Sequence, residues 1–237
     1  MKEVFSSNYL AKETNKNLTA CVVSMGFVLA ILAVGVAMAS VLVIWASMVA
    51  LVASGFIIAR CGPAYTAYLQ GMQGERILRN RLRSSGLSDE YTSYYNLPVN
   101  GNGKTSDIDC VLVGPLGAFV FEAKHHRGLI FHRNGIWTQI KAGRRGTPYA
   151  VHLGDPAVQV SRNIRFLKTR LEGTCLNSPW IHGTIVFTNP CALLDINGPR
   201  WVKAVAVKDL HQIFPRRATL SPDQVDRINA CLSVLAK

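Results

Sequence analysis

Two carboxylates, Asp109 and Glu122, lie on short β-rich runs and are the residues whose spacing points most clearly to chemistry. The runs cover residues 107–113 and 118–124, and the turn-forming residues 114–117 between them predict a β-hairpin. If those residues form the loop, the strand register places Asp109 directly opposite Glu122. Carboxylates facing each other across a strand pair repel, and a cation between them would remove that repulsion. The pair therefore predicts a site for a hard divalent cation, Mg²⁺ or Mn²⁺.

The same register places Asp107 opposite Lys124, on the face of the hairpin that carries the carboxylate pair. Lys124 could stabilise negative charge that develops on a phosphate, or orient an attacking water molecule. The alternative is an exposed polar face on which Asp107 and Lys124 form a surface ion pair. The opposite face is predicted to be the core. Its residues are Ile108, Cys110, Leu112, Phe119, Phe121 and Ala123.

Several motifs follow one another in a characteristic order between residues 71 and 214. They are Gly74-Glu75, Ile108-Asp109-Cys110-Val111-Leu112-Val113, Gly117-Ala118-Phe119-Val120-Phe121-Glu122-Ala123-Lys124, Gly128, Trp137 and Asp155-Pro156-Ala157-Val158-Gln159. Together they resemble the nuclease-related domain (NERD) family, a branch of the PD-(D/E)XK restriction-endonuclease-like superfamily. Two features depart from that pattern: Asp107 replaces a more usual neutral polar residue, and the tail from Ser221 lies outside the resemblance.

The resemblance implies a mixed sheet flanked by helices and magnesium-dependent hydrolysis of phosphodiester bonds. It implies that Asp109 and Glu122 would hold the metal ion and that Lys124 would be the catalytic lysine. Glu75 would be a further acidic member of the site. Gln159 matches a polar position that lies beside the site in related nucleases.

Basic residues beside the motif favour a polyanionic partner. The chain carries a formal charge of +12, of which residues 60–237 hold +11, a surplus typical of proteins that bind nucleic acid or anionic membranes. Gly143 to Gly146 is predicted to be a mobile basic loop in a loosely structured region. The residues expected to contact backbone phosphates are His125, His126, Arg127, Arg144 and Arg145.

Residues 17–59 form a 43-residue run without Asp, Glu, Lys, Arg or His. As one helix the run would be about 65 Å long, whereas the hydrocarbon core of a bilayer is about 30 Å thick. Two antiparallel transmembrane spans, at about 20–38 and 41–59 with a turn near Ala39-Ser40, fit this length. The run therefore predicts a membrane anchor with two passes.

Basic residues flank both ends of the apolar run. Lys12 and Lys16 precede it and Arg60 follows it, so a hairpin places all three on one side, which the positive-inside tendency makes cytoplasmic. We expect a bacterial inner membrane. The alternative is a secretory signal with Ala37-Met38-Ala39 as the cleavage site, but the apolar run extends about 20 residues to either side, too far for a signal peptide.

The elements that position the site are predicted from the apolar periodicity. Asp155-Pro156 is typical of a helix start, with Asp as the N-cap and Pro at the first helical position, and residues 157–171 carry one continuous apolar face. Residues 65–83 are predicted to be helical, with Gly71 and Gly74 as candidate break points between a linker and the first domain helix.

The predicted fold class is α/β: a restriction-endonuclease-like mixed sheet flanked by helices and preceded by an N-terminal transmembrane helical hairpin. A capping-box pattern at Ser221 opens a C-terminal helix. The six cysteines lack zinc-ligand spacing and are predicted to be reduced, mostly buried thiols. The predicted organisation is a cytoplasmic N-terminus (1–17), two transmembrane helices (18–60), a linker (61–73), the NERD-like domain (74–216) and a C-terminal helix (217–237).

The sequence thus favours a membrane-anchored, magnesium-dependent nuclease-like protein acting on DNA, or alternatively on RNA. A second hypothesis is a non-catalytic module that keeps the fold and tethers DNA at the membrane. A third is a membrane-assembly protein whose basic face contacts anionic lipid. The discrete acidic site disfavours the third hypothesis, and the complete set of carboxylates and lysine favours the first over the second. The oligomeric state is not predicted.

Overall fold

The computed structural model describes residues 1–6, 9–38, 41–101, 104–143, 145–172, 180–197 and 201–236. The helices are α1 (Tyr9–Met38), α2 (Val41–Arg83), α3 (Pro156–Leu171) and α4 (Pro222–Leu235), with a 3-10 helix at Val207–Ile213. The strands are β1 (Lys2–Phe5), β2 (Thr92–Gly101), β3 (Lys104–Gly114), β4 (Gly117–Lys124), β5 (Gly128–Arg133), β6 (Ile136–Ala142), β7 (Pro148–His152), β8 (Ile181–Phe187), β9 (Ala192–Ile196) and β10 (Val202–Ala206). The chain divides into two compact units, one of residues 8–72 and one that combines residues 1–7 with 73–237.

The unit of residues 8–72 contains α1 and the first part of α2. The Ser54 hydroxyl donates to the Ser24 carbonyl at 3.4 Å, and because both residues lie equally far from position 39, the helices pair as an antiparallel hairpin. α1 ends at Met38 and α2 begins at Val41, where the predicted spans end and begin. The predicted turn at Ala39-Ser40 lies outside the described residues.

Most large apolar side chains described in this hairpin are exposed, among them Val23, Leu42 and Val52. Within the described residues, one helix, Trp45–Arg83, is long and apolar enough to cross a membrane, and a shorter apolar stretch covers Leu18–Ile31. Residues 61–73, where the sequence predicts a linker, lie within α2.

The other unit is built on a mixed sheet with the strand order β1-β2-β3-β4-β8-β10. Strands β2, β3 and β4 are antiparallel neighbours, whereas β8 runs parallel to both β4 and β10. A second mixed sheet has the order β7-β6-β5-β9. The predicted mixed α/β architecture is confirmed, but the second sheet occupies the region where the sequence predicts only loosely structured chain.

The β3–β4 hairpin has the predicted register, with Val113 paired to Ala118 and Cys110 paired to Phe121. The ladder between the two strands ends at Cys110, so the predicted pairs of Asp109 with Glu122 and of Asp107 with Lys124 lie just beyond it. Past this point β3 remains paired with β2 and β4 with β8. The strands therefore part where the chemistry-bearing side chains begin.

Both faces of the hairpin are buried, which corrects the prediction of a single core face. Cys110, Leu112, Phe119 and Phe121 pack with Leu78 and Leu82 of α2. The other face, which carries Val111, Val113, Ala118 and Val120, packs with residues of α3 and α4. The reason is that β3, β4 and β8 lie inside the sheet with helices on both sides, as their continuous apolar runs allow.

The alternation of side chains breaks at Asn96 of β2 and its opposite position, Asp109. Tyr95 packs on the α2 side, yet Leu97, two residues later, packs on the α3 side. The sequence predicts that Ile108 packs on the same face as Cys110. In the structure, Ile108 packs on the α3 side and Cys110 packs on the α2 side. Asn96 has a φ of 56°, a left-handed conformation that asparagine tolerates better than most residues. The irregularity lies at the level of Asp109.

The N-terminal residues form β1, a strand that the sequence does not predict. β1 pairs in parallel with β2, the terminal amine of Met1 contacts Asp89 at 2.6 Å, and Glu3 accepts hydrogen bonds from Arg83. Phe5 stacks on Tyr95 with ring centroids 5.2 Å apart. Both ends of the helical hairpin therefore connect to the same compact unit.

The helices predicted after the site are confirmed. Asp155 caps α3 by accepting from the amides of Ala157 and Val158, and Ser221 forms the predicted capping box of α4. The five described cysteines are free thiols, but only Cys110 is buried, and Cys175 lies outside the described residues. α4 packs on the central sheet through Val225, Ile228 and Leu232.

Gly183 of β8 allows α3 to lie close to the sheet. A Cβ at this position would lie 2.5 Å from Cγ1 of Val160 and 2.9 Å from Cδ1 of Ile164. Both atoms belong to α3, the helix that carries Gln159. The absence of a side chain at Gly183 thus allows the close contact between α3 and β8.

Gly183→Ala is expected to lower the free energy of unfolding by about 1–3 kcal/mol, because the added methyl group overpacks the contact with Val160. Thermal unfolding of the full chain in detergent measures the change. Because the clash is shared, the double variant Gly183→Ala/Val160→Ala should lose less than the sum of the two single losses. Strict additivity would contradict a direct contact between α3 and Gly183.

Candidate active site

Glu122, Lys124 and Gln159 form a hydrogen-bonded group at the carboxyl end of β4. Glu122 is only 2% exposed, and its Oε1 accepts from Nζ of Lys124 at 2.7 Å. The same ammonium group donates to Oε1 of Gln159 on α3 at 3.1 Å. Lys124 therefore pairs with Glu122 on its own strand, and the structure brings together three of the predicted site residues.

Asp109 reaches the same region from β3. Its Oδ2 accepts a hydrogen bond from the backbone amide of Ala123 at 2.7 Å, so its carboxylate lies against the segment between Glu122 and Lys124. Because the strand alternation breaks at Asp109, its side chain is not confined to one face of the sheet. The charge of Glu122 acts on Asp109, so the two carboxylates of the predicted pair lie near each other, although the backbone ladder ends one residue before them.

Glu75 approaches from α2, on the helix face that packs Leu78 and Leu82 onto the sheet. The preceding residue, Gly74, makes this approach possible, since a Cβ there would lie 3.0 Å from Oγ1 of Thr188 and 3.2 Å from Cβ of His125. Thr188 and His125 directly follow β8 and β4. Glu75 therefore lies near the carboxyl ends of those two strands.

Burial raises the pKa of all three acidic residues, and neighbouring carboxylates add to the shift at Glu75 and Asp109. Burial, followed by the charges of Asp107 and Glu122, raises the pKa of Glu75 to about 7. Burial and the charges of Glu122 and Glu75 raise the pKa of Asp109 well above its ordinary value. Burial also raises the pKa of Glu122, even though the charge of Lys124 opposes that shift. An added positive charge would therefore stabilise the ionised site.

Lys124 remains charged at neutral pH. Burial alone would lower the pKa of its ammonium group, but the charges of Glu122 and Asp109 and the hydrogen bond to Glu122 together raise it. A lysine held in this state can donate hydrogen bonds and neutralise negative charge, but it is a poor proton acceptor.

The carboxylate oxygens of Asp109 and Glu122 are of the ligand type that hard divalent cations prefer. Oε2 of Glu122 is buried without a hydrogen-bond partner, an arrangement that is unfavourable by about 1–3 kcal/mol for an acceptor without a donor. Within the described residues, no group of three or more His, Cys, Asp or Glu side chains could hold an ion. An ion bound by Asp109 and Glu122 would therefore take its other ligands from water or substrate, as Mg²⁺ commonly does.

The two predicted phosphate-binding histidines have different surroundings. Nδ1 of His125 lies 3.0 Å from Oγ1 of Thr188, and Nε2 lies 3.3 Å from Nδ2 of Asn189, so this ring links the ends of β4 and β8. Burial, with the charges of Lys124 and Lys141, lowers the pKa of His126 to about 4. Any contact of His126 with phosphate at neutral pH would therefore be an uncharged hydrogen bond.

The predicted arginines are spread over a wider area than the site. Arg127 is exposed, and its backbone carbonyl accepts from Nε2 of Gln139 at 2.6 Å. Arg145 is exposed in the loop between β6 and β7 of the second sheet, and Arg144 lies outside the described residues. Sequence reasoning missed Arg162, whose charge lowers the pKa of Glu122. Its position three residues after Gln159 on α3 was the available signal.

Comparison with known proteins supports the family resemblance. Residues 70–188, half of the chain, match the family model described as the nuclease-related domain. The matched segment contains Glu75, Asp109, Glu122, Lys124 and Gln159. No curated protein and no solved structure matches the chain.

Glu75→Gln is expected to stabilise the protein at pH 8 by about 1–3 kcal/mol and to have little effect at pH 5. The pKa of Glu75 is raised from 4.5 to about 7 by folding. The folded protein therefore has its full stability at pH values below the pKa of Glu75 in the unfolded state. It loses stability as pH rises through 7, because the ionised carboxylate is less favourable in the folded state than in the unfolded state. Glutamine cannot ionise, so the variant avoids that loss.

Thermal unfolding in EDTA across this pH range measures the effect. The exposed residue Glu90 provides the control, since Glu90→Gln should follow the wild-type curve. A wild-type pH dependence in the Glu75→Gln variant would contradict the assignment of the shift to Glu75.

Proposed function

The chain belongs to the nuclease-related domain family, and we propose that it is a membrane-anchored, Mg²⁺-dependent nuclease that hydrolyses phosphodiester bonds of DNA, with RNA as the alternative substrate. The observation that carries this proposal is the buried Oε2 of Glu122, which lacks a hydrogen-bond donor although a charged lysine holds the other oxygen of the same carboxylate. A cation is the partner that this carboxylate needs.

Asp109 and Glu122 are the proposed ligands of Mg²⁺ or Mn²⁺. When bound, such an ion polarises a phosphate oxygen and lowers the pKa of a coordinated water molecule. The hydrogen bond from the amide of Ala123 to Oδ2 of Asp109 orients one carboxylate. The hydrogen bond from Lys124 to Oε1 of Glu122 orients the other and leaves Oε2 to the cation.

Lys124 acts as an electrostatic stabiliser in this proposal. Its ammonium group stays charged because of its raised pKa, so it can neutralise the charge that accumulates on a phosphate during hydrolysis. Gln159 accepts one of its hydrogen bonds and thereby limits the directions in which the ammonium can point. Glu75, with a pKa of about 7, has the acidity that suits a proton acceptor near neutral pH.

The basic character of residues 60–237 supports a nucleic-acid substrate. Their net charge of +11 would give affinity for backbone phosphates that is independent of sequence and sensitive to salt. Arg127, Arg145 and Arg162 are exposed and are free to make such contacts. With His125 and His126, these arginines form the proposed phosphate-binding set.

The helical hairpin is the proposed membrane anchor, with two spans. Three observations support it: the antiparallel pairing of α1 with α2, the exposure of its large apolar side chains, and the presence of a helix able to cross a bilayer. β1 adds a topological argument, because residues 1–7 belong to the same unit as residues 73–237. The chain between them must then cross the membrane an even number of times. The flanking Lys16 and Arg60 favour the cytoplasmic side of a bacterial inner membrane.

Glu122→Gln is expected to reduce Mg²⁺-dependent cleavage of DNA by about 100-fold or more, since several kcal/mol of charge stabilisation depend on the bound ion. The full chain in detergent is the correct sample, because β1 is part of the folded unit. Glu90→Gln, which removes an exposed carboxylate, should cleave at the wild-type rate.

Two results would contradict the proposal. One is the absence of Mg²⁺-dependent cleavage of DNA or RNA by the wild-type protein. In that case, salt-dependent DNA retention that survives Glu122→Gln would identify a non-catalytic tether. The other is equal cleavage by the wild type and the Glu122→Gln variant, which would remove Glu122 from the site.

The proposed topology predicts that both ends of the hairpin are accessible from the cytoplasmic side. Cys191 is exposed, so a membrane-impermeant maleimide should label it in inside-out vesicles and not in right-side-out vesicles. Lys2→Cys in a background without Cys191 should show the same pattern, since Lys2 is also exposed. Labelling of the two positions from opposite sides would contradict an even number of spans.

A further inference from the structure

A cavity of about 370 Å³ lies beside α3, away from the carboxylate group. Its wall combines residues of α3 with His132 and Gly135 near the β5–β6 turn and with Asn197 and Trp201. The lining residues are His132, Gly135, Asp155, Ala157, Val158, Ser161, Asn197 and Trp201. The volume falls in the lower part of the range for small-molecule sites and is sufficient for one planar heterocycle.

Trp201 provides a flat apolar surface at this cavity. Its side chain is 66% exposed, and its indole is oriented by one hydrogen bond, in which Nε1 donates to Oγ of Ser161 at 3.3 Å. Ser161 is itself held by a hydrogen bond of 2.8 Å to the Ala157 carbonyl. An exposed indole that is hydrogen-bonded to a residue of α3 can stack on a nucleobase with little further loss of its own conformational freedom.

The polar groups of the wall accept hydrogen bonds. His132 is 8% exposed, and its Nδ1 lies 2.9 Å from the carbonyl oxygen of Asn197. Since a carbonyl only accepts, Nδ1 must carry a proton, and the acceptor that the imidazole can offer to a ligand is Nε2. Asp155 uses Oδ1 to cap α3, and its negative charge disfavours an anion at this end of the helix. The wall therefore fits a ligand with N–H donors and does not fit a phosphate.

The cavity and the carboxylate group share α3. Gln159 faces Lys124, whereas Ser161, two residues later and about 200° around the helix axis, contacts Trp201. The two sites are thus separated by about one helix diameter, roughly 10 Å. A stacked strand covers that distance in roughly three nucleotides, so one strand can occupy both sites.

We propose that this cavity binds an unpaired nucleobase of the substrate strand, which stacks on Trp201 and donates hydrogen bonds to His132 and Asp155. This inference rests on the proposed function, because it assigns a base-binding subsite to the same nucleic-acid substrate. It makes a single-stranded or locally unpaired strand the preferred substrate form.

The test compares Trp201→Ala with Trp180→Ala in the full chain. Trp180 is a matched control, because its side chain is also 66% exposed but does not line the cavity. The probe is a fluorescently labelled single-stranded DNA oligonucleotide, bound in EDTA so that the proposed hydrolysis stops. Trp201→Ala should weaken binding by about tenfold, the typical loss for one base–aromatic stack, and Trp180→Ala should leave it unchanged. Trp201→Phe keeps an aromatic face and should recover most of the affinity.

An abasic site moved along the oligonucleotide identifies the bound base. At one position, removal of the base should weaken binding to the wild type about tenfold and should not weaken binding to Trp201→Ala further. Three results would overturn the subsite and leave the nuclease proposal standing. The first is an equal loss of DNA affinity in Trp201→Ala and Trp180→Ala, and the second is no loss of affinity in Trp201→Ala. The third is a loss from each abasic position that adds to the loss from Trp201→Ala. Failure of the wild type to bind any nucleic acid would overturn both. Weaker association with anionic vesicles in Trp201→Ala, without weaker DNA binding, would assign Trp201 to a lipid surface and overturn the subsite.

Discussion

Glu122 keeps one oxygen of its carboxylate buried without a hydrogen-bond donor, and its charge raises the pKa of both Glu75 and Asp109 close by. Three acidic groups in one partly desolvated region repel one another, and a single lysine cannot neutralise them all. Such an arrangement lowers stability at neutral pH unless a cation joins it. The local loss of stability and the proposed binding of a metal ion would therefore have the same physical origin.

The surrounding fold holds these groups together despite their repulsion. The central sheet is buried on both faces, so the ends of β3 and β4 are fixed by packing that does not involve the site. Gly183 lets α3 approach the sheet, and Gly74 lets α2 approach the ends of β4 and β8. The break in alternation at Asn96 releases Asp109 from the regular pattern of one face.

β1 gives the N-terminus a structural role in the domain that follows the helical hairpin. It extends the sheet next to β2, and Ser6, directly after it, donates to the backbone carbonyl of Asn96, the residue at the level of Asp109. The N-terminal segment and the candidate site are therefore linked through one irregular position of β2.

Local patterns in the sequence determined the hairpin register, the caps of α3 and α4 and the family motifs, because turn length, capping chemistry and side-chain alternation act between near neighbours. The identities of Asp109, Glu122 and Lys124 as one group follow from that register. Only the tertiary structure decided that Lys124 pairs with Glu122 and Gln159 and that both faces of the hairpin are buried. It also decided that the charge of Arg162 acts on Glu122 and that Trp201 contacts Ser161 of α3. It also decided the place of β1, whose strand partner lies about 90 residues away along the chain. Such contacts depend on which distant segments pack together, and a four-residue strand is too short for its side-chain pattern to predict its partner strand.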